Sequence, residues 1–125
     1  MDDKGRKALG QRGEQLSCDF LASRGHRILE RNWRGGHLEV DIITEAQDGV
    51  HFVEVKTRTA PVVSTLEDQV GPTKQHCISA AARKYLNTNH LDMAGEVFFD
   101  VISVVFDGDE ATLRYFPQAW IPIYV

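Results

Sequence analysis

Two neighbouring segments of the chain alternate apolar and polar residues with the two-residue period of half-buried β-strands. They cover residues 38–43 and 52–58, and the Asp48-Gly49 pair between them is a turn signal that favours a β-hairpin. The polar positions of these strands carry three acids and a lysine: Glu39, Asp41, Glu54 and Lys56. The pattern therefore predicts a hairpin with a strongly charged face.

The register of this hairpin decides which charged side chains meet. A register that places Asp41 opposite either Glu54 or Lys56 brings all four charged side chains to one face, whereas a shift by one residue moves one strand's set to the opposite face. Three carboxylates in so small an area repel one another and need a cation to be stable together. We therefore predict a metal site with a lysine beside it.

The rest of the chain is predicted to form helices and strands around this hairpin. An apolar stripe at helical spacing ends at Gly25, which predicts a first helix, and Gly10 and Gly13 within it favour close packing against another element. Residues 59–71 are irregular and could form a loop over the hairpin, and the apolar residues 120–125 could dock on the domain or on a partner. The predicted elements are a helix over 6–24, a strand over 26–33, hairpin strands over 38–45 and 50–58, a helix over 72–87, and strands over 97–106 and 111–116.

The acids of the hairpin suit a hard divalent cation. Mg²⁺ prefers oxygen ligands in octahedral geometry, so Asp41 and Glu54 can supply two ligands and the Val55 carbonyl a third, with water and substrate completing the set. Such an ion lowers the pKa of a bound water and polarises a phosphoryl oxygen. Lys56 could orient or deprotonate the attacking water or stabilise charge in the transition state, and Glu14 could hold a metal-bound water or a second cation.

Each of these interpretations has an ordinary alternative. A solvated hairpin face with salt bridges from the acids to Lys56 or Arg58 is the common case for alternating charges. We favour the metal site because the acids lie opposite strongly apolar positions and follow the order acid, turn, acid-x-lysine. Zinc bound by His37, Glu39 and Asp41 lacks an evident fourth ligand.

Two further acids are conspicuous in their surroundings. Glu14 lies at the edge of the apolar stripe of the first helix, and on periodicity alone it is equally well explained as a solvated surface acid. Asp100 lies inside an otherwise apolar strand, where a carboxylate must find a partner. It either supports the hairpin site or bonds a nearby backbone group.

Composition limits the classes to which the protein can belong. Its 125 residues suit one compact domain, so we predict a single domain over 1–125. Cys18 and Cys77 are too few for a disulfide framework, no apolar run is long enough to span a bilayer, and the N-terminus lacks the apolar core of a signal peptide. We therefore expect a cytoplasmic protein that does not bind membranes.

The formal net charge of −4 argues against a nucleic-acid-binding protein, but the distribution of charge weakens that argument. Residues 1–60 carry ten basic and ten acidic side chains, whereas residues 61–125 carry four basic and eight acidic ones. A divalent cation bound to the hairpin acids would leave basic side chains in excess around the site, which is compatible with a phosphodiester substrate. These side chains are Arg27, Arg31, Arg34, Lys56 and Arg58.

The hairpin residues resemble the motif of the PD-(D/E)XK nuclease superfamily, with Asp41, Glu54 and Lys56 at the motif's positions. More closely, the chain resembles the YraN-like family of small, uncharacterised bacterial proteins, which are similar to archaeal Holliday junction resolvases. The match covers most of the chain and extends beyond the hairpin. It includes Gly10, Gly13 and Glu14, Arg31-Asn32, Lys74, Ala81-Ala82, Tyr85-Leu86 and Phe99-Asp100-Val101.

The resemblance implies an α/β fold with a restriction-endonuclease-like core, in which a central mixed β-sheet is flanked by α-helices. It implies Mg²⁺ or Mn²⁺ as the cofactor. By the same resemblance, Asp41 and Glu54 are metal ligands, Lys56 is the catalytic lysine, and Glu14 is the helix-borne acid of the resolvase-like branch.

Two functions of different classes follow as hypotheses. The first is a metal-dependent nuclease acting on DNA, with branched or damaged DNA among its substrates, in which Arg31, Arg34, Arg58 and Lys74 contact phosphates. The second is a non-catalytic module that retains the nuclease fold and binds nucleic acid or protein, and the acidic net charge and apolar C-terminal residues favour a protein partner. We place the enzyme first because a carboxylate cluster is costly to keep without a metal.

The sequence leaves the substrate and the assembly open. It does not separate RNA from DNA, because no aromatic-rich platform for single strands is visible. A resolvase-like activity would call for a two-fold homodimer, so that two sites meet two strands.

Overall fold

A computed structural model describes residues 2–62, 69–89 and 95–121 of the chain. Within these residues, five strands form one sheet in the order β1-β2-β3-β4-β5. Neighbouring strands are antiparallel except β3 and β4, which are parallel and are connected through α2. The predicted α/β class, a central mixed sheet flanked by helices, is confirmed. The elements are α1 (Asp3–Ser23), β1 (Arg27–Gly35), β2 (Leu38–Ala46), β3 (Gly49–Thr59), α2 (Pro72–Asn89), β4 (Glu96–Asp107) and β5 (Glu110–Phe116).

The two helices cover opposite faces of the sheet, each over its own apolar cluster. Phe52 and Val53 are neighbours on β3 and belong to different clusters, as the alternation of a strand requires. The cluster under α2 includes Val40, Phe52, Ile78, Tyr85 and Phe99. The cluster under α1 includes Cys18, Leu21, Ile42, Val53 and Ile102.

Helix α1 begins at a capping residue and lies very close to the sheet. The Asp2 side chain accepts a hydrogen bond from the Gly5 N–H at 2.7 Å, so the helix starts three residues before the predicted boundary. Gly13 is buried, and a Cβ atom at this position would lie 2.1 Å from Thr57 Oγ1 of β3. The close packing predicted for this helix is therefore confirmed, and it occurs at Gly13. At Gly10 no described atom outside the helix lies within 4 Å of the Cβ position.

Strand β2 departs from regular alternation at Asp41. Val40 belongs to the cluster under α2 and Ile42 to the cluster under α1, although residues two apart in a regular strand share a face. The backbone pairing of β2 with β3 ends at Ile42 opposite Val53, and beyond it the Val55 N–H donates a hydrogen bond of 2.8 Å to Asp41 Oδ2. The Asp41 side chain therefore continues the contact between the strands past the backbone ladder.

The hairpin turn lies one residue earlier than predicted. β2 ends at Ala46 and β3 begins at Gly49, so the connecting residues are Gln47 and Asp48. Gly49 has a φ of +145° and approaches β4 so closely that a Cβ atom would lie 1.9 Å from the Glu96 carbonyl oxygen. The glycine therefore serves the packing of β3 against β4 rather than the turn itself.

Other predicted boundaries shift by a few residues. β1 covers Arg27–Gly35 rather than 26–33, and α2 continues to Asn89. Residues 63–68, the middle of the predicted loop over the hairpin, and residues 122–125 of the apolar C-terminal segment lie outside the described residues. Trp120, which is described, is buried with its ring 5.2 Å from that of Phe99. Among the described helices, none has the length and apolar character needed to cross a membrane.

Candidate functional site

Asp41 of β2 and Glu54 of β3 form the centre of the candidate site. The β2–β3 register, continued by one residue, places Asp41 beside Glu54, which is the first of the two registers that the sequence left open. The Glu54 side chain is only 15% exposed. Glu39, the third acid of the predicted cluster, is 54% exposed, and its carboxylate lies 3.7 Å from Arg34 Nη2. The structure therefore brings together two of the three hairpin acids.

Burial and mutual repulsion act on both carboxyl groups of this pair. Burial raises the pKa of Asp41, an effect that the hydrogen bond from the Val55 N–H partly offsets. Burial and the neighbouring charge of Asp41 raise the pKa of Glu54 to about 7. Both pKa values are therefore raised above those of free carboxyl groups, as expected of two adjacent, largely buried carboxyl groups.

Two lysines approach the pair from the side of the sheet that α2 covers. Lys74 Nζ, in the first turn of α2, lies 3.9 Å from Glu54 Oε1. Lys56 lies two residues after Glu54 on β3, and its Nζ donates a hydrogen bond to the Gln69 carbonyl oxygen. Both lysines lower the pKa of Glu54, but burial and Asp41 outweigh them. The lysines thus compensate the acids only in part.

Glu14 reaches the same pair from α1. Its Oε2 accepts a hydrogen bond of 3.0 Å from Asn32 Nδ2 of β1, and its charge contributes to raising the pKa of Asp41. Val55, predicted as a backbone ligand, contacts Asp41 through its N–H, and its side chain packs on the cluster under α1. Glu14 therefore acts on Asp41 through its charge, although the two residues come from different elements.

The side-chain oxygens of Asp41 and Glu54 fit a hard divalent cation that takes only some of its ligands from the protein. Two oxygen-bearing side chains on adjacent strands, with open positions left for water, correspond to the way proteins bind Mg²⁺. Among the described residues, no three histidine, cysteine, aspartate or glutamate side chains lie close enough together to hold a metal ion by themselves. Ligands beyond Asp41 and Glu54 would therefore have to include backbone, water or substrate oxygens.

The four residues predicted to contact phosphates differ in their surroundings. Arg31 is exposed and its Nη1 donates to Gln15 Oε1 at 2.9 Å, while Arg34 is 77% exposed beside Glu39. The half-buried Arg58 donates a hydrogen bond of 3.0 Å to Ser103 Oγ, and Lys74 forms an ion pair with Glu54. Arg31, Arg34 and Lys74 are thus exposed, whereas Arg58 is half-buried.

A second buried polar cluster was not assigned from the sequence. His51 of β3 is buried, with Nδ1 2.6 Å from Asp100 Oδ2 and Nε2 2.8 Å from Asp48 Oδ1. Asp100 also accepts hydrogen bonds from the Tyr115 hydroxyl at 2.6 Å and the Gln118 N–H at 3.0 Å. Of the two roles left open for Asp100, bonding to a nearby backbone group is therefore the one observed. The apolar surroundings of Asp100 in the sequence signalled a buried partner but did not identify His51.

The carboxylates of Asp48 and Asp100 affect the pKa of His51 in this second cluster. Burial opposes protonation of His51, but its hydrogen bonds to Asp100 and Asp48 outweigh burial and raise the pKa of His51. His26, whose ring lies 4.5 Å from that of His51, has its pKa lowered by burial and by His51. His26 and Asp48 line an open cleft of about 450 Å³ beside the hairpin turn.

Comparison with known proteins identifies relatives along nearly the whole chain. The family model described as "Uncharacterised protein family UPF0102" matches residues 13–104. A UPF0102 protein of Trichlorobacter lovleyi is 41% identical over 119 residues, which cover 94% of this chain and 93% of the relative. A UPF0102 protein of Anaeromyxobacter dehalogenans is 39% identical over 119 residues, which cover 95% of this chain and 88% of the relative.

One solved structure also shows a likeness. Pyrococcus furiosus SfsA in complex with Ca²⁺ is 14% identical, with a TM-score of 0.36. The match covers 90% of this chain but only 64% of the SfsA chain. We draw no conclusion about fold or function from a likeness of this size.

Proposed function

This chain belongs to UPF0102, the YraN family that its motifs resemble, and from that premise we propose that it is a metal-dependent nuclease. The proposed reaction is hydrolysis of phosphodiester bonds in DNA, with branched or damaged DNA among the candidate substrates. The observation that carries the proposal is the buried Asp41–Glu54 pair, in which the pKa of Glu54 is raised to about 7. Two adjacent buried acids are costly in a fold unless they bind a cation.

Asp41 and Glu54 would hold Mg²⁺ or Mn²⁺, with the Val55 carbonyl as a further ligand. When bound, the ion would lower the pKa of a water ligand and polarise a phosphoryl oxygen. Lys56, on the same strand as Glu54, would orient the attacking water or stabilise charge on the phosphate. Glu14 would hold a water molecule or a second cation from the side of α1. These four side chains would be the catalytic set.

Phosphate contacts would come from both sides of the pair. Arg31 and Arg34 of β1 are exposed, and their present partners are the side chains of Gln15 and Glu39. Exposed pairs of this kind contribute little to stability, so a DNA phosphate can replace them at small cost. Lys74 would contribute from α2, and Arg58, which is half-buried against Ser103, would need to rearrange to take part.

The decisive experiment is calorimetric titration of Mn²⁺ into the wild type, Asp41→Asn and Glu54→Gln. Glu39→Gln is the matched control, because Glu39 is an acid of the same hairpin that lies outside the pair. We expect a loss of Mn²⁺ affinity of more than about tenfold in both pair variants and none in the control. Affinity that is unchanged in both pair variants would contradict the proposal.

Cleavage is tested next on branched, nicked and single-stranded DNA, with an RNA duplex for comparison. We expect cleavage to require Mg²⁺ or Mn²⁺ and to be lost in Lys56→Met while Mn²⁺ affinity is retained. Cleavage that persists in Lys56→Met would remove the lysine from the catalytic set.

Paired cuts in a branched substrate would further call for a two-fold homodimer, which sedimentation of the protein–DNA complex would detect.

A non-catalytic binding module is the competing function, and the net charge of −4 is the observation that favours it. In that case a protein partner would bind the wild type, and the Asp41→Asn variant would bind it equally well. Metal binding without cleavage of any substrate would support this alternative over the nuclease.

A further inference from the structure

Strand β1 contains a residue in an unusual backbone conformation. Asn32 has a φ of +51°, in the left-handed region that residues other than glycine rarely adopt. Asparagine tolerates this region better than most residues, but the conformation still costs free energy. A conformation of this kind in the middle of a strand indicates that the surrounding contacts hold it in place.

The contacts of Asn32 and of the residue before it explain what this conformation achieves. Asn32 Nδ2 donates a hydrogen bond of 3.0 Å to Glu14 Oε2, and Arg31 Nη1 donates one of 2.9 Å to Gln15 Oε1. In a regular strand, residues 31 and 32 would point to opposite faces of the sheet. Here both side chains reach the same helix, and the left-handed backbone at Asn32 permits this.

The backbone beside Glu14 is already fixed by packing. Gly13 lies against Thr57 with no space for a Cβ atom, so α1 cannot slide or rotate freely at this point. What remains adjustable is the direction of the Glu14 side chain. The Asn32 amide restrains that direction, and the charge of Glu14 acts on Asp41 from this position.

We propose that Asn32 is a positioning residue that holds the Glu14 carboxylate towards the Asp41–Glu54 pair. The inference rests on the proposed function, because it concerns the same metal site. Asn32 would act through Glu14 and not by contact with the ion or the substrate. It donates a hydrogen bond to the carboxylate that would hold a metal-bound water or a second cation, which is the way outer groups orient the ligands of metal centres.

The test uses variants that separate the amide from the backbone conformation. Asn32→Gly keeps the left-handed backbone without strain and removes the amide. Asn32→Asp keeps the size of the side chain and replaces the donor with a carboxylate that Glu14 repels. Gln15→Ala is the control, because it removes the neighbouring contact between β1 and α1 and leaves Glu14 unchanged.

We expect both Asn32 variants to weaken Mn²⁺ binding by about tenfold, while Gln15→Ala binds Mn²⁺ as the wild type does. Glu14→Gln should show a similar loss, and Glu14→Gln combined with Asn32→Gly should lose no more than Glu14→Gln alone. A merely structural role for Asn32 would lower the thermal midpoint without changing the Mn²⁺ affinity of the folded protein.

The outcomes also separate this inference from the proposed function. Mn²⁺ affinity that depends on Asp41 and Glu14 but is unchanged in Asn32→Gly would overturn the inference and leave the nuclease proposal standing. Full additivity of the Glu14 and Asn32 losses would overturn it as well, because the two residues would then act independently. Wild-type protein that binds no Mn²⁺ would instead contradict the proposed function.

Discussion

The Glu54 carboxyl group links the chemistry of the site to the stability of the fold. Its pKa is raised from 4.5 to about 7, chiefly by burial and by the adjacent Asp41. The folded protein therefore binds more protons than the unfolded chain between these two pH values. By linkage, the free energy of unfolding decreases as the pH rises from about 4.5 to about 7, and the decrease is complete above that range.

Glu54→Gln removes the loss of stability that ionisation of Glu54 causes, because the amide carries no charge at any pH. We expect the variant to be more stable than the wild type at pH 8 by about 1 to 3 kcal/mol, and to show a much smaller difference at pH 5. Urea denaturation at both pH values measures the effect, with Glu39→Gln as the control acid on the same hairpin. A variant that is less stable than the wild type at pH 8 would contradict this assignment of the pKa.

Some site residues could be placed from the sequence because their positions depend on local rules. The two-residue period and the hairpin turn were sufficient to put Asp41 beside Glu54 in one of the two expected registers. The position of Glu39 outside this pair could not be predicted from these local rules. Glu39 lies directly opposite Arg34 in the β1–β2 register, and this register depends on the pairing of a third strand that the hairpin pattern does not describe.

At the scale of elements, the contact between α1 and β3 fixes the depth of the helix on the sheet. Gly13→Ala would place a Cβ atom 2.1 Å from Thr57 Oγ1, so either the Thr57 side chain or the helix must move. We expect a loss of about 1 to 3 kcal/mol in the free energy of unfolding, measured in urea. Gly10→Ala is the matched control, and it should stabilise the protein by about 0.5 to 1 kcal/mol.

A partial recovery of stability in Gly13→Ala combined with Thr57→Ala would confirm that the clash is the cause, because the second change removes the Thr57 hydroxyl. An additive loss in the double variant would show that Gly13 matters for another reason.

The buried cluster around His51 joins the β2–β3 turn to β4 and β5. His51 bridges Asp48 of the turn and Asp100 of β4, and Asp100 in turn bonds Tyr115 of β5. Sequence reasoning could not find this cluster, because His51 and Asp100 are 49 residues apart and meet only through the parallel pairing of β3 and β4. No local periodicity encodes a contact across a helical connection.

The raised pKa of His51 predicts a second pH effect, with its own range. The stability that protonated His51 contributes is fully present below its ordinary pKa of 6.5 and is lost as the pH rises through the raised value. His51→Gln should therefore be less stable than the wild type at pH 6, with a smaller difference at pH 9, in urea denaturation. His37→Gln, which changes an exposed histidine, serves as the control. A pH-independent loss would show that His51 is neutral throughout.

At the scale of the whole molecule, charge is separated between the two ends of the sheet. The edge strand β1 carries three arginines and one acid, whereas β5 at the other edge, with the turn that leads into it, carries three acids and one arginine. These residues are Arg27, Glu30, Arg31 and Arg34 on the β1 side, and Asp107, Asp109, Glu110 and Arg114 on the β5 side. Such a separation orients a charged ligand as it approaches, even when the net charge of the protein is unfavourable. Under the proposed function, we therefore expect DNA to meet the molecule at the β1 edge.

Arg34→Gln should weaken DNA binding about threefold and reduce the slope of log affinity against log salt by about one. Arg114→Gln removes the same charge from β5 at the opposite edge and should leave DNA binding unchanged. Fluorescence anisotropy at several salt concentrations, with Ca²⁺ added to limit cleavage, measures both variants. Equal losses in the two variants would contradict an approach from the β1 edge.

The strand order of the sheet repeats the order of the strands in the chain, and this has a consequence for folding. The antiparallel pairs are joined by connections of only a few residues, which close within microseconds at little entropic cost. The parallel pairing of β3 with β4 must wait for α2, which carries Lys74. Asp41 and Glu54 should therefore meet early in folding together with Lys56 of β3, before Lys74 of α2 arrives as the second lysine that offsets their repulsion. We therefore expect the folding rate, as well as the final stability, to depend on the protonation of these acids.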